Sequence, residues 1–260
     1  MDGETWFRVT SVGAGYQIES NASQEVFERY FRLDWSAADV ERRILKLAPE
    51  LGPAMGELRG LRVLRPSDPV EVFYSFLCTP NNHLPRIIGM VNHLASHGQP
   101  LGETGLHVFP GSELISSLDE GELRRSMFGY RGATIPAAAG QVLERGGDDY
   151  IRSLKGTSYP EAFAELLTIR GIGPKLADCI CLFGLDKTEA VPVDTHIWQA
   201  ATRLFFPQWA GLPLTGQRYR AVGEALRDRF GELAGWLQQY LFYENLRNWR
   251  ARRKAINSGA

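Results

Sequence analysis

The stretch Gly171-Ile172-Gly173-Pro174 constrains this chain more than any other. Two glycines in alternate positions interrupt an otherwise helical pattern, and a proline follows at once. Glycine adopts turn conformations that other residues avoid, and proline is favoured at the first position of a helix. The stretch therefore predicts a helix, a tight hairpin and a second helix beginning at Pro174. An ordinary helix-to-helix turn carries the same two glycines, so the hairpin alone does not specify a chemistry.

The residues around it narrow the choice. Lys175 falls in the first turn of the new helix, where the backbone dipole presents positive charge. That is a poor place for an ammonium, so the position favours a neutral, nucleophilic amine. Asp194 follows Val191-Pro192-Val193 and precedes a helical run from Thr195 to Phe205. Aspartate ahead of an apolar-periodic run reads as an N-cap, a role that suits the carboxylate anion. One helix start then carries an amine and the next a fixed negative charge. This pair suits amine attack on a sugar carbon whose cationic transition state needs an anion nearby. The hairpin N–H groups of Gly171 and Gly173 can also hold a phosphate, which brings a nucleotide next to Lys175.

Composition sets outer bounds. An apolar share of 44% with 23% charged residues is that of a soluble globular chain. No apolar run is long enough to span a bilayer, and Met1-Asp2-Gly3-Glu4-Thr5 lacks the basic start and apolar core of a signal peptide. Cys78, Cys179 and Cys181 are an odd set, and the C-x-C pair lies in a predicted helix that points its side chains apart. They imply neither a disulfide framework nor a zinc site, and fit a reduced, intracellular setting. With 29 basic against 30 acidic residues the net charge is −1, so the chain is no general DNA coat. A local patch suffices for DNA, however. Arg247, Arg250, Arg252, Arg253 and Lys254 form either such a patch or a solvated helix end.

Along the chain, Trp6 to Glu19 alternates weakly and reads as a short hairpin or two edge strands. Asn21-Ala22-Ser23 opens a helix carrying Val26, Phe27, Tyr30 and Phe31, and a second runs from Ala37 to about Leu47. From Asp68 the pattern is helical nearly to the end. Val72, Phe73, Phe76 and Leu77 form a stripe that stops at Thr79-Pro80-Asn81-Asn82-His83-Leu84-Pro85, a rigid turn with amide tips. Ser158-Tyr159-Pro160-Glu161 is a capping box that starts the helix leading into the hairpin. Helices are expected over Arg218 to Phe230 and Leu233 to Trp249. On the last, Gln238 and Phe242 lie one turn apart on one face. An amide and a ring so placed can bond a base edge and stack on its plane, although a surface glutamine beside a core phenylalanine has the same spacing.

Gly171-Ile172-Gly173-Pro174-Lys175-Leu176-Ala177-Asp178-Cys179-Ile180-Cys181, followed by Val191-Pro192-Val193-Asp194-Thr195-His196, closely resembles the 8-oxoguanine DNA glycosylase/lyase branch of the helix-hairpin-helix glycosylases. The resemblance runs from about Leu61 to Trp249. It implies a mostly α fold: two helical lobes with the hairpin at their junction, plus a small, reduced N-terminal β element. The segments are then a reduced N-terminal unit over 1–60, a helical piece over 61–80 that carries the C-terminal part, a helical-bundle lobe over 81–174, and the catalytic helices with the C-terminal lobe over 175–260. It implies a bifunctional enzyme that excises 8-oxoguanine opposite cytosine and nicks the strand. Lys175 is the nucleophile and Asp194 its electrostatic partner.

The resemblance also implies a base pocket of Cys179, Gln238, Phe242 and Pro192. Asn81 fills the space left by the extruded base, Arg86 and Arg131 read the orphaned cytosine, and Tyr130 is a wedge, though alone it reads equally as a half-buried core aromatic. His196 lies near the lesion phosphate, where capping or packing is the alternative. Carbonyls of Leu167, Ile169 and Ile172 hold an alkali or calcium ion that bridges to a phosphate. No redox cofactor is required, and three cysteines cannot build the four-cysteine iron–sulfur site of some relatives. The implied partner is duplex DNA containing 8-oxoguanine:C, bound by a monomer with no membrane association.

The chain departs from the family in one respect. The G-Q-x-F-x-W signature of the N-terminal β domain is absent, so the chain begins partway through that domain or carries a reduced version. In the family the carbonyl of that glycine accepts the N7–H that distinguishes 8-oxoguanine from guanine. A substitute carbonyl, from the segment after Trp249, or relaxed discrimination is expected. Two rival functions are a non-catalytic helix-hairpin-helix DNA-binding module and a Schiff-base enzyme for small carbonyl compounds. The usual barrel of the latter needs more strands than this chain offers.

Overall fold

The computed structural model describes residues 5–257 except positions 14 and 67, with no side chain described at Ala54 or beyond Leu246. Met1 to Glu4 and the side chains of Arg247, Arg250, Arg252, Arg253 and Lys254 therefore lie outside the described residues. Strands β1 (Phe7–Val12) and β2 (Gly15–Ser20) form one antiparallel hairpin with Phe7 opposite Ser20. Two strands alone are marginal, and this pair is held by Phe7, which packs on Phe27, Tyr30 and Phe31 at centroid distances of 5.6, 5.2 and 6.1 Å. Everything after it is helical: α1 (Gln24–Tyr30), α2 (Ala37–Leu47), α3 (Gly52–Gly56), α4 (Val70–Leu77), α5 (Leu84–Ala95), α6 (Ser112–Ser116), α7 (Glu120–Arg125), α8 (Arg131–Leu143), α9 (Asp148–Ser153), α10 (Tyr159–Leu167), α11 (Pro174–Phe183), α12 (Thr195–Leu204), α13 (Gly216–Phe230) and α14 (Ala234–Asn257). No helix among the described residues is long and apolar enough to cross a membrane.

The helix starts follow their local sequence. Ser23 caps α1, Ser36 caps α2 and Thr215 caps α13. Ser158 and Glu161 form the expected reciprocal capping box of α10, and Asp194 caps α12. One hydrophobic core runs through the molecule. α10 and α4 pack on α11, α12 and α13 on α14, and α6 and α7 on α8. α2 and α3 pack on α13 and α14, so the N-terminal helices share the core of the C-terminal ones.

One helix face and the boundaries of two helices differ from expectation. The buried face of α4 is Val70, Phe73, Tyr74 and Leu77; Val72 and Phe76 sit at its margin, Val72 against Gly184 and Phe76 stacked on Phe183 at 5.6 Å. α13 begins at Gly216, because Thr215 supplies its cap. Leu233 belongs to a 3-10 turn, and α14 starts at Ala234 and continues past Trp249 to Asn257. Gly235 explains the tight seat of α14: a Cβ there would lie 2.6 Å from the carbonyl oxygen of Thr188, and its own N–H bonds that carbonyl at 2.8 Å. This contact fixes α14 against the loop that leads to Val191-Pro192-Val193-Asp194.

Candidate active site

Between α10 and α11 the chain buries Ile169 and Ile172 and leaves Gly171, Gly173 and Pro174 exposed. Burial of each isoleucine contributes about 1.5–3 kcal/mol, which anchors the turn from inside. Gly171 has a φ of +88°, and a Cβ there would collide with Thr134 of α8, so conformation and space both demand glycine. Gly173 is the N-cap of α11 with Pro174 at its start, and no side chain caps this helix. The α11 start therefore keeps backbone donors that no side chain satisfies, in contrast to α10, α12 and α13.

Lys175 is half-buried in the first turn of α11. Asp194 is half-buried too, and its Oδ1 accepts the N–H of Ile197 at 2.9 Å. Its Oδ2 carries no hydrogen bond among the described residues, so half of the capping carboxylate is uncommitted. Both groups converge on Cys179. Burial pushes its thiol up to about 12; the Lys175 charge and hydrogen bond pull it down, and the charge of Asp178, with a smaller part from Asp194, pushes it up. At neutral pH the sulfur is a thiol, so it does not compete as a nucleophile. An amine, an anion and a neutral thiol thus share one neighbourhood across two helix starts.

Beside Cys179 lies a buried arrangement that the sequence did not disclose. Asp178 accepts the hydroxyl of Tyr159 at 2.7 Å and that of Tyr219, and Arg227 donates to Tyr159 at 3.0 Å. Burial raises the Asp178 carboxyl to about 6, opposed by the two tyrosine hydrogen bonds and the Arg227 charge. The group pins α10 and α13 to α11, the helix that carries Lys175. A lone aspartate in a helix gives no warning of partners drawn from two other elements.

Of the expected base-contact residues, Pro192, Gln238 and Phe242 are brought together on the α12–α14 side, while Cys179 lies on α11. Gln238 is only 4% exposed, and its Nε2 donates to the Pro192 carbonyl at 3.2 Å while its Oε1 accepts from Gln239 at 2.5 Å. Neither its amide nor its carbonyl is exhausted: one N–H and one lone pair remain. Phe242 is half-buried, with His196 edge-on to it at 5.5 Å. The His196 Nδ1 is 3.1 Å from the Nδ2 of Asn245, which also bonds Gln199 at 3.1 Å. Asn245 is a further residue of this face; its spacing of one turn from Phe242 and two turns from Gln238 was the available signal.

A second group forms at the turn before α5 and the start of α8. Asn81 is exposed with a φ of +48°, and nothing among the described residues bonds its amide. Asn82 holds the turn instead, donating to the Cys78 carbonyl at 3.0 Å. Tyr130 is 51% exposed and its hydroxyl reaches the Pro80 carbonyl at 3.4 Å, so it is no core aromatic. Arg86 donates through Nε to the Met127 carbonyl at 3.1 Å. Arg131 is 2% exposed; its guanidinium bonds the Pro80 carbonyl and lies 4.6 Å from the Tyr130 ring. In this state Arg131 braces the turn, so the expected contact with a cytosine requires that bond to open. α8 joins this group to the hairpin, since Thr134 lies one turn beyond Arg131 and abuts Gly171.

A crevice of about 760 Å³ beneath the β hairpin, lined by Trp6, Phe7, Tyr30, Asp68 and Arg152 among others, contains none of these residues.

No protein-family model matches the chain. It is 40% identical over 222 residues to the N-glycosylase/DNA lyase OGG1 of Arabidopsis thaliana, covering 84% of this chain and 60% of that protein. It is 30% identical over 255 residues to the N-glycosylase/DNA lyase of Saccharomyces cerevisiae, covering 84% and 65%. The Clostridium acetobutylicum 8-oxoguanine glycosylase/lyase, solved in complex with double-stranded DNA containing cytosine opposite 8-oxoguanine, superposes with a TM-score of 0.80 at 27% identity, over 93% of this chain and 82% of that one. The chain thus spans less than two thirds of the length of these two curated relatives.

Proposed function

The chain belongs to the family of the N-glycosylase/DNA lyases, and from that premise we propose that it excises 8-oxoguanine opposite cytosine from duplex DNA and then nicks the strand. The observation that carries the reading is Lys175 in the first turn of an α11 that no side chain caps, with Asp194 at the start of α12 capping through one oxygen only.

In this mechanism a lesion-strand phosphate occupies the N–H groups at Gly171 and Gly173, with His196 close by, and the lesion nucleotide turns out of the stack. Extrusion costs a few kcal/mol. Asn81 and Tyr130 offset it by filling the vacated space, and Arg86 with Arg131 reads the cytosine left behind. The free base lies between Cys179 and Phe242. The remaining N–H and lone pair of Gln238 meet its Watson–Crick edge, with Pro192 as wall. The Lys175 amine forms a bond to C1′ as the bond from C1′ to the base breaks, and the base leaves with the electron pair and gains a proton. Asp194 stabilises the positive charge at the sugar through the oxygen not used in capping. Opening of the C1′–O4′ bond gives a Schiff base between Nζ and C1′. Loss of a C2′ proton then expels the 3′ strand by cleavage of the C3′–O3′ bond, and water releases the lysine.

The carbonyls of Leu167, Ile169 and Ile172 are the proposed seat of a phosphate-bridging cation. They belong to the end of α10 and the turn, where carbonyls lack regular helix partners, although Ile169 already accepts the N–H of Ile172 at 3.1 Å. The chemistry itself needs no cofactor. The protein acts as a monomer, wherever the genome is. Rates of base release from 8-oxoguanine:C and guanine:C duplexes test the reading: faster release of the lesion supports it, and no release from either contradicts it. Equal rates would mean that no carbonyl of this chain accepts the N7–H that distinguishes the lesion. α14 is helical through Asn257, which commits carbonyls within it to helix bonds and leaves those of its last turn as candidates.

A further inference from the structure

α5 carries His93 in its last turn, and His97 follows the C-cap Ser96. The two imidazoles meet edge to face with centroids 5.1 Å apart, and the Phe128 ring lies 5.5 Å from His93. Glu122 of α7 completes the group: one ring nitrogen from each histidine and one Glu122 carboxylate oxygen all lie within 4.8 Å of one another. The Nε2 atoms of both histidines are buried without a hydrogen-bond partner. Native structures rarely leave two such atoms side by side, because each is costly.

We infer that His93, His97 and Glu122 bind a divalent transition-metal ion of the zinc class. Two imidazoles and one carboxylate suit zinc and its neighbours, whereas magnesium and calcium take all-oxygen sites. Ligand bonds of about 2.0–2.2 Å require the donors to close in, and the exposed Glu122 side chain has the freedom to do so. Its exposure also leaves a position open for water. The site shares no residue with the glycosylase machinery and stands independently of it. It bears on that machinery through the chain: α5 begins beside Asn81 and carries Arg86, and α7 leads directly into Met127 and Tyr130. An ion here clips together the two segments that face the gap in the duplex.

The test is a calorimetric titration of the untagged, chelator-stripped full chain with Zn2+, with Mg2+ and Ca2+ as controls, followed by melting with and without Zn2+. The site predicts one Zn2+ per chain, a higher melting temperature that EDTA reverses, and no Mg2+ or Ca2+ binding that Glu122→Ala removes. His93→Gln and His97→Gln each weaken Zn2+ binding by about 100-fold or more, and Glu122→Ala by about 10-fold or more. Glu122 is exposed, so Glu122→Ala retains the fold and decides the matter should either histidine variant misfold. Absence of stoichiometric Zn2+ binding, or binding undiminished in Glu122→Ala, overturns the inference; the latter would place the ion elsewhere.

Discussion

Gln238 donates its side-chain amide to the carbonyl oxygen of Pro192 at 3.2 Å, tying α14 to the segment that ends in Asp194. One residue of the proposed base pocket therefore also holds the approach to Asp194. Gln238→Leu leaves the Pro192 carbonyl without this partner and should cost about 1–3 kcal/mol in denaturant unfolding. It should also lower kcat/KM on 8-oxoguanine:C by about 10- to 100-fold, equal to about 1.4–2.7 kcal/mol. A stability loss with unchanged excision would reduce Gln238 to a structural brace.

Asp194 caps α12 through one oxygen and leaves the other uncommitted. Asparagine caps a helix about as well as aspartate. Asp194→Asn should therefore change stability by less than about 1 kcal/mol while slowing single-turnover excision by about 100- to 1,000-fold. Asp194→Ala loses both roles and should add about 0.5–2 kcal/mol of destabilisation. Equal excision rates for Asp194→Asn and the unaltered chain would confine Asp194 to capping.

Asp178 provides a pH signature. Burial raises its carboxyl from 3.8 to about 6, so the folded state holds this proton more tightly than the unfolded chain. The stability it contributes is fully present below about pH 4 and is lost as pH rises through about 6. The size is about 3 kcal/mol at most. Relative to the unaltered chain, Asp178→Asn should gain stability between pH 4 and pH 7, measured by urea unfolding at each pH. A difference that does not vary with pH would mean that Asp178 is ionised with an ordinary carboxyl affinity.

Asn81 and Tyr130 are exposed and bury little. Asn81→Ala should cost about 1–2 kcal/mol of unfolding free energy, because alanine resists the left-handed backbone at Asn81, and Tyr130→Ala about 0.5–1 kcal/mol, because its ring covers Arg131. Each should weaken binding to an 8-oxoguanine:C duplex and slow base release, because extrusion is no longer offset. Fluorescence anisotropy with matched melting curves separates this from a folding defect.

The legible parts of the chain were those with local causes. The hairpin at Gly171 and the caps at Ser158 and Asp194 follow from the residues within a turn of them, and all three formed as their sequence dictates. The face of α4 did not, because Val72 and Phe76 pack on Gly184 and Phe183, more than a hundred residues away. Arg131 has the composition of a surface residue, yet the Pro80 carbonyl and the Tyr130 ring draw it inside. The Asp178 network needs three helices in register, and the His93–Glu122 contact needs α5 and α7 side by side. No local pattern encodes either, although the four-residue spacing of His93 and His97 was visible.

Sodium borohydride trapping on an 8-oxoguanine:C duplex tests the central claim most directly, since borohydride reduces a Schiff base to a stable amine. The unaltered chain should form a single covalent adduct with DNA, and Lys175→Gln should form none while still binding the duplex. An adduct that persists in Lys175→Gln, or base release by the unaltered chain with no adduct, would contradict nucleophilic attack by Lys175.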